Sequence, residues 1–395
     1  MQLKRAGASV FLFASLLADA ARAQGELPGA GKESSYDVVV GSELATYADD
    51  DHVFVVSPSI TGVVAKPAAG WSGGASYLVD VVSAASVDIV STASRRFIET
   101  RQAGGLTGAY QLGRLGISAN GNVSVEPDYG SYTGGASATY DLFDKNVTAL
   151  LSYYHGYDIA SRHDTPWNVW NHQINTDGVK LGGTIILDRA TYVAIVGDLI
   201  FENGDTSKPY RYVPMFAPGT VVTRGESIAR VNKDRLSARA LEQLPTERQR
   251  YAVSARIGHR FSWATLRMDE RFYTDAWGLK AATTDARFIF TPARRLEAGP
   301  HLRFHAQAPV DFWQRAYVMR TGLDFPALRT GDRELGPLVN LTGGATARML
   351  MGPATDLRKL VIGVDANLTG TRYLDDLYIS QRTSTVIALV AEMAL

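Results

Sequence analysis

The chain has 395 residues, with 40 Lys plus Arg balancing 40 Asp plus Glu, 46% apolar and 20% charged residues, and no cysteine. That balance excludes bulk electrostatic attraction to nucleic acid, and the absence of cysteine excludes a disulfide scaffold, a Cys-ligated metal, a thiol nucleophile and a lipid anchor on an N-terminal cysteine. A chain of this length ordinarily makes two or three soluble domains, but 37 Gly, 18 Tyr and 14 Phe with so few charges argue against that default.

The N-terminus, residues 1–23, reads as a secretory signal. Lys4 and Arg5 supply the positive start, Ala6 to Ala18 the apolar stretch, and Ala21-Arg22-Ala23 a small-x-small site with cleavage expected before Gln24. Residues 24–395 are then expected to form one domain. No later stretch approaches the roughly 18–20 uninterrupted apolar residues that a membrane helix needs.

Helical spacing is scarce, showing only around Ile228 to Leu244 inside a connection. Period-two alternation recurs instead, in segments bounded by Gly, Asn, Asp and Pro. It picks out sixteen strands: 36–48, 52–64, 71–82, 100–112, 115–126, 131–142, 146–158, 178–188, 190–201, 247–260, 262–274, 279–290, 296–307, 337–350, 358–370 and 384–395. Soluble strands run about five or six residues, whereas tilted strands crossing a bilayer need roughly nine to eleven. The long connections 83–99, 159–177, 202–246 and 308–336 all fall on odd places. The tight ones, Phe143-Asp144-Lys145, Asp188-Arg189, Phe261 and Thr291 to Arg294, fall on even places. Short periplasmic turns alternating with long external loops mark an outer-membrane barrel. The expected fold is therefore an all-β, antiparallel transmembrane barrel of about 16 strands. The last segment carries Ile387, Leu389, Ala391, Met393 and Leu395 on one face, as a barrel-closing strand does; Leu395 stands where such barrels commonly end in Phe or Trp.

Placing the more apolar face outward puts Arg250, Arg256, Arg267, Asp269, Arg271, Asp285, Arg287, Glu297, His301, Arg303, His305 and Gln307 in the lumen. An Arg or Lys facing the midplane of the bilayer costs about 2–4 kcal/mol on a barrel, so the interior is where these groups belong. Six arginines against three acids suggest either a stripe that favours anions or a cross-strand ion-pair ladder that holds the wall closed. Other signals are weaker. His155, Asp158, His163, Asp164, His172 and Asp177 are metal-ligating types without metalloprotease spacing. Asp49-Asp50-Asp51-His52 reads as a charged hairpin turn. Ser83, Ser86, Ser91 and Ser94 lie in a small-residue stretch without a nucleophile elbow, and no phosphate loop or dinucleotide fingerprint occurs.

An ordered set of segments carries a resemblance over nearly the whole expected mature chain. It runs from Tyr77 to Ser94, then Glu126-Pro127-Asp128-Tyr129-Gly130-Ser131, Asp144 to Thr148, Lys208-Pro209-Tyr210-Arg211-Tyr212-Val213 and Leu244 to Arg248. Asp269-Glu270-Arg271-Phe272-Tyr273-Thr274-Asp275-Ala276-Trp277-Gly278, Leu302 to Gln307 and Phe312-Trp313 complete it. Together they resemble a family of Gram-negative exported proteins known only as a domain of unknown function. The resemblance implies an outer-membrane barrel, often encoded near a small lipoprotein, a thioredoxin-like protein and a flavin transferase. It implies no catalytic residue and no cofactor. The expected partners are outer-membrane lipid and the barrel-assembly machinery, with a small lipoprotein or an envelope redox partner as further candidates, and no nucleic acid. The expected role is a channel, or a housing for a partner in envelope transport or electron transfer. The alternatives are a barrel-embedded hydrolase and a non-conducting structural surface protein.

Overall fold

A computed structural model describes residues 36–82, 99–162, 165–208, 211–319, 325–352 and 359–395. The expected signal, the serines from Ser83 to Ser94, and His163 and Asp164 lie outside the described residues.

Sixteen strands close into an antiparallel barrel. In chain order they are β1 (Asp37–Asp49), β2 (Phe54–Lys66), β3 (Trp71–Val82), β4 (Glu99–Leu112), β5 (Leu115–Glu126), β6 (Tyr129–Leu142), β7 (Val147–Ala160), β8 (His172–Ile186) and β9 (Thr191–Gly204), then β12 (Glu247–Arg260), β13 (Ala264–Asp275), β14 (Lys280–Ala293), β15 (Leu296–Gln307), β17 (Leu338–Met351), β18 (Lys359–Tyr373) and β19 (Gln381–Ala394). The ring shuts where β1 pairs β19, from Val39 opposite Ala394 to Asp49 opposite Ser384. Closure leaves no strand edge unpaired, which is what permits a sheet to stand in hydrocarbon. No helix among the described residues is long and apolar enough to cross a membrane.

Alternation decides the two faces. On β15 Leu302 and Phe304 stand exposed on the outside while Arg303 between them lines the interior. On β19 Ile387, Leu389 and Met393 are exposed outward in the same way. Tight turns join strands at one end. The sharpest is Phe143-Asp144-Lys145, whose three successive residues all take positive φ (49°, 52° and 70°). At the opposite end lie the long connections 205–246 and 308–337. The observed strands match the expected ones to within a few residues, with one larger difference: β8 begins at His172, six residues before the expected start.

The two longest connections fold together over that end. Their elements are β10 (Tyr212–Phe216), α1 (Ile228–Asp234), β11 (Arg239–Leu241) and β16 (Tyr317–Val318). β10 pairs antiparallel with β11 and parallel with β16. The helix expected from Ile228 towards Leu244 is thus confined to its first two turns. Ser227 caps it, accepting from the Arg230 N–H at 3.2 Å. Beyond Asp234 the chain straightens because Ala240 is buried opposite Val213 in the small sheet, packing with Met215, Tyr317 and Met319. A second cluster joins Phe216, Val231 and Leu377, and a third joins Leu244, Trp277, Leu279, Val310 and Leu335. The water-driven apolar core of this molecule therefore sits in the cap. The barrel keeps its apolar groups outside, as lipid demands.

Candidate functional site

Beneath the cap lies a cavity of about 1040 Å³, walled by the interior faces of the barrel strands and roofed by Lys208, Arg211, Glu242, Leu244, Arg333 and Leu335. Of the residues singled out in the sequence, Arg250, Arg271, Arg303, His305 and Gln307 line it. Asp269, Arg267, Asp285, Arg287, His301 and Arg256 continue the same faces of β12 to β15 by steps of two.

Charge is paired along this wall. Asp269 accepts from both Arg256 and Arg267, the latter at 3.0 Å. Asp285 is shared by Arg287 at 3.4 Å and His301 at 2.8 Å. Two partners come from β9, a strand outside the expected stripe. Glu202 meets Arg250 at 2.6 Å, and Asp198 meets Arg271 at 2.8 Å with Lys180 at 3.9 Å. Glu297 stands opposite Arg348 in the register, and Arg348 reaches Asp365 at 2.5 Å. His305 contacts the Thr283 hydroxyl at 2.7 Å. Gln307 donates to the backbone carbonyls of Glu334 and Gly336 at 2.9 and 2.8 Å, tying the wall to the roof. The arithmetic of six arginines against three acids changes once Asp198 and Glu202 are included. The stripe is chiefly ion-paired, in one set across β9, β12 and β13 and in another across β14 and β15.

The roof is held by a buried polar network whose members lie far apart in sequence. The Glu242 carboxylate accepts from the Thr330 hydroxyl at 2.6 Å, the Lys208 N–H at 3.0 Å and Arg211 Nη1 at 3.3 Å. Asp332 faces Arg211 at 2.8 Å and Lys208 at 3.7 Å. Burial alone would raise the Asp332 carboxyl, but Arg211 and Lys208 outweigh it and hold it below the usual carboxylate range. Tyr317 donates to the Phe312 carbonyl at 2.9 Å and accepts from the Thr330 N–H at 3.0 Å, and burial pushes its phenol up. Two ionic latches then fasten the roof to distant parts of the rim. Arg333 reaches Asp51 in the β1–β2 turn at 2.7 Å, and Glu334 faces Arg382 of β19 at 3.6 Å.

The other sequence candidates are dispersed. His155 and Asp177 sit opposite each other on β7 and β8 at 3.0 Å, with the Tyr153 hydroxyl donating to Asp177 at 2.6 Å, on the outer face of the wall. His172 faces Asp205 at 3.3 Å, and Asp158 lines the cavity. The acidic hairpin is a turn with each acid engaged: Asp49 accepts from the Val53 N–H, Asp50 from the Thr383 N–H, and Asp51 from Arg333. The roof residues Arg211, Glu242, Asp332 and Arg333 escaped the sequence reading because connections carry no periodicity. The one available signal was the apolar run Tyr212-Val213-Pro214-Met215-Phe216 inside a loop, which marks a buried segment.

A closed antiparallel barrel with sixteen long strands, an apolar exterior and a charged interior defines a transmembrane β-barrel of the outer-membrane type. Within that class the chain belongs to the family described as "Protein of unknown function (DUF3570)", whose model matches residues 54–355. No curated protein matches the sequence. Among solved structures, a bacterial polysaccharide outer membrane secretin is similar at 9% identity and TM-score 0.45, over 92% of this chain and 99% of that one. OprD from Pseudomonas aeruginosa is similar at 8% identity and TM-score 0.42, over 91% and 96%. The siderophore receptor PirA from Acinetobacter baumannii is similar at 8% identity and TM-score 0.41, over 86% of this chain and 54% of that one. The chain thus spans about half the length of that receptor.

Proposed function

We propose that the protein resides in the outer membrane, inserted by the barrel-assembly machinery and surrounded by outer-membrane lipid, and acts as a capped passage for small polar or charged solutes. The observation that carries this reading is the cavity of about 1040 Å³ beneath the roof, lined by side chains of both charge signs. A lumen lined only to seal itself would be filled by side chains, as small barrels are. The paired wall sets a moderate selectivity: most of its arginines face an acid, with Arg256 and Arg267 sharing Asp269, so neither sign dominates strongly.

Single-channel recording of the purified protein in a planar bilayer tests it. Reproducible conductance steps are expected. Arg271→Gln, which leaves Asp198 facing only Lys180 at 3.9 Å, should move the reversal potential towards cations. A folded, inserted protein that stays silent would overturn the passage reading and return the lumen to the role of housing, for a small lipoprotein or an envelope redox partner. Hydrolysis has less support, since the outward His155–Asp177 pair is joined by a tyrosine rather than by a serine.

A further inference from the structure

We infer that the protein carries a calcium site inside its long-loop rim, built from Glu99, Glu126 and Asp128. It is separate from the arginine wall and does not depend on whether the lumen conducts. Glu99 opens β4, Glu126 ends β5, and Asp128 belongs to the two-residue connection into β6. Antiparallel pairing of these strands brings the three carboxyl groups together, each offering an oxygen within 4.8 Å of the others. All three side chains are buried, at 5%, 4% and 2% exposure.

Three carboxylates in one enclosed pocket repel one another and lose their hydration, and an opposite charge relieves both penalties. The neighbouring base Arg101 is bound to Asp80 at 2.7 Å and shares its charge between that partner and Glu126. Further acids, Asp158 and Glu202, line the same side of the cavity, and Glu202 is answered by Arg250. A second observation points independently to a ligand. Glu126 is 96% buried, and its Oε2 has no hydrogen-bond partner among the described residues. A carboxylate oxygen that deep without a donor is the arrangement a cation completes.

The donor set identifies the cation by class. Every candidate ligand is a carboxylate oxygen, with neither imidazole nor thiolate, so a hard divalent ion fits. Calcium bonds oxygen at about 2.3–2.6 Å in adaptable geometry, so ligands on opposite sides of it stand about 5 Å apart. Magnesium requires about 2.0–2.1 Å and near-octahedral placement with several waters. Ligands contributed by two strands and a connecting turn suit the more adaptable ion, and water from the cavity fills its remaining positions.

The test uses full-length exported protein purified in detergent and stripped with EDTA. Calorimetric titration with CaCl2 should show one ion per chain, with a dissociation constant of about 10⁻⁴ M, the range of extracellular calcium modules. MgCl2 should bind more weakly. Glu126→Gln and Asp128→Asn should each weaken calcium by about tenfold or more, while Glu226→Gln in the cap leaves it unchanged. Both variants remove repulsion, so they should still show the mobility of a folded barrel on unheated gels. Should one fail to fold, terbium luminescence of the wild type supplies the location. Tyr129 stands opposite Glu126 in the register, so Tyr129→Phe should reduce tyrosine-sensitised emission that calcium competes away. No saturable calcium binding at millimolar concentration would overturn the site, and so would binding that survives both carboxylate substitutions or emission indifferent to Tyr129→Phe.

Discussion

Asp332 and Glu242 show what single side chains contribute to the roof. Glu242 gathers Thr330, Lys208 and Arg211 from two connections, and its side chain is fully buried. Replacing it with Ala strands those donors, and breaking a buried charged pair of this kind costs about 3–5 kcal/mol. Limited proteolysis should then cut 205–246 in Glu242→Ala while the barrel keeps its folded gel mobility. Asp332 has a lowered folded pKa, so the stability it adds is present above the ordinary carboxylate value, about 4, and is lost as pH falls below that towards the folded value. Acidification should therefore loosen the roof, reported by fluorescence of Trp277 and Trp313. Asp332→Asn should weaken the roof at neutral pH and flatten that acid response. None of this was legible from sequence, because Asp332 and Arg211 are more than a hundred residues apart and lie in stretches without period.

At the scale of elements, the strands were largely legible, and the reason is physical. Hydrocarbon on one side and water on the other impose strict alternation wherever a strand crosses the apolar band. On β15 the same residue type has opposite consequences one position apart. Arg303 faces the cavity, whereas Leu302→Arg should cost about 2–4 kcal/mol and reduce insertion into lipid vesicles; insertion equal to wild type would contradict the assigned face. The signal fails where strands outrun the band. The first six residues of β8, His172 to Asp177, are polar except for the buried Ile174, and one apolar member sets no alternation, so the expected start falls at 178. The cap strands failed for another cause. β16 has two residues and β11 three, too short for any period to register. The expected stripe covers β12 to β15 alone, and the partners Asp198 and Glu202 fall outside it because ion pairs run across to β9, which alternation along single strands does not reveal.

The whole molecule is a lipid-facing barrel with a water-soluble cap held across one mouth by Arg333–Asp51 and Arg382–Glu334. Replacing Tyr212 to Ala240 by a short Gly-Ser linker keeps all sixteen barrel strands. It should raise single-channel conductance several-fold; an unchanged conductance would mean the roof does not obstruct flow. The parallel pairing of β10 with β16 also fixes an order of events during biogenesis. Four membrane strands, β12 to β15, separate these two partners in the chain. The small sheet, whose β10–β11 pair is local, therefore cannot be completed until all four are in place. Until then Met215 and Phe216, fully buried in the finished protein, face water beside an open strand edge. Completion of the cap thus waits on the barrel wall, and a folding intermediate in which β16 has yet to dock is distinguishable from the finished protein by that bare apolar surface.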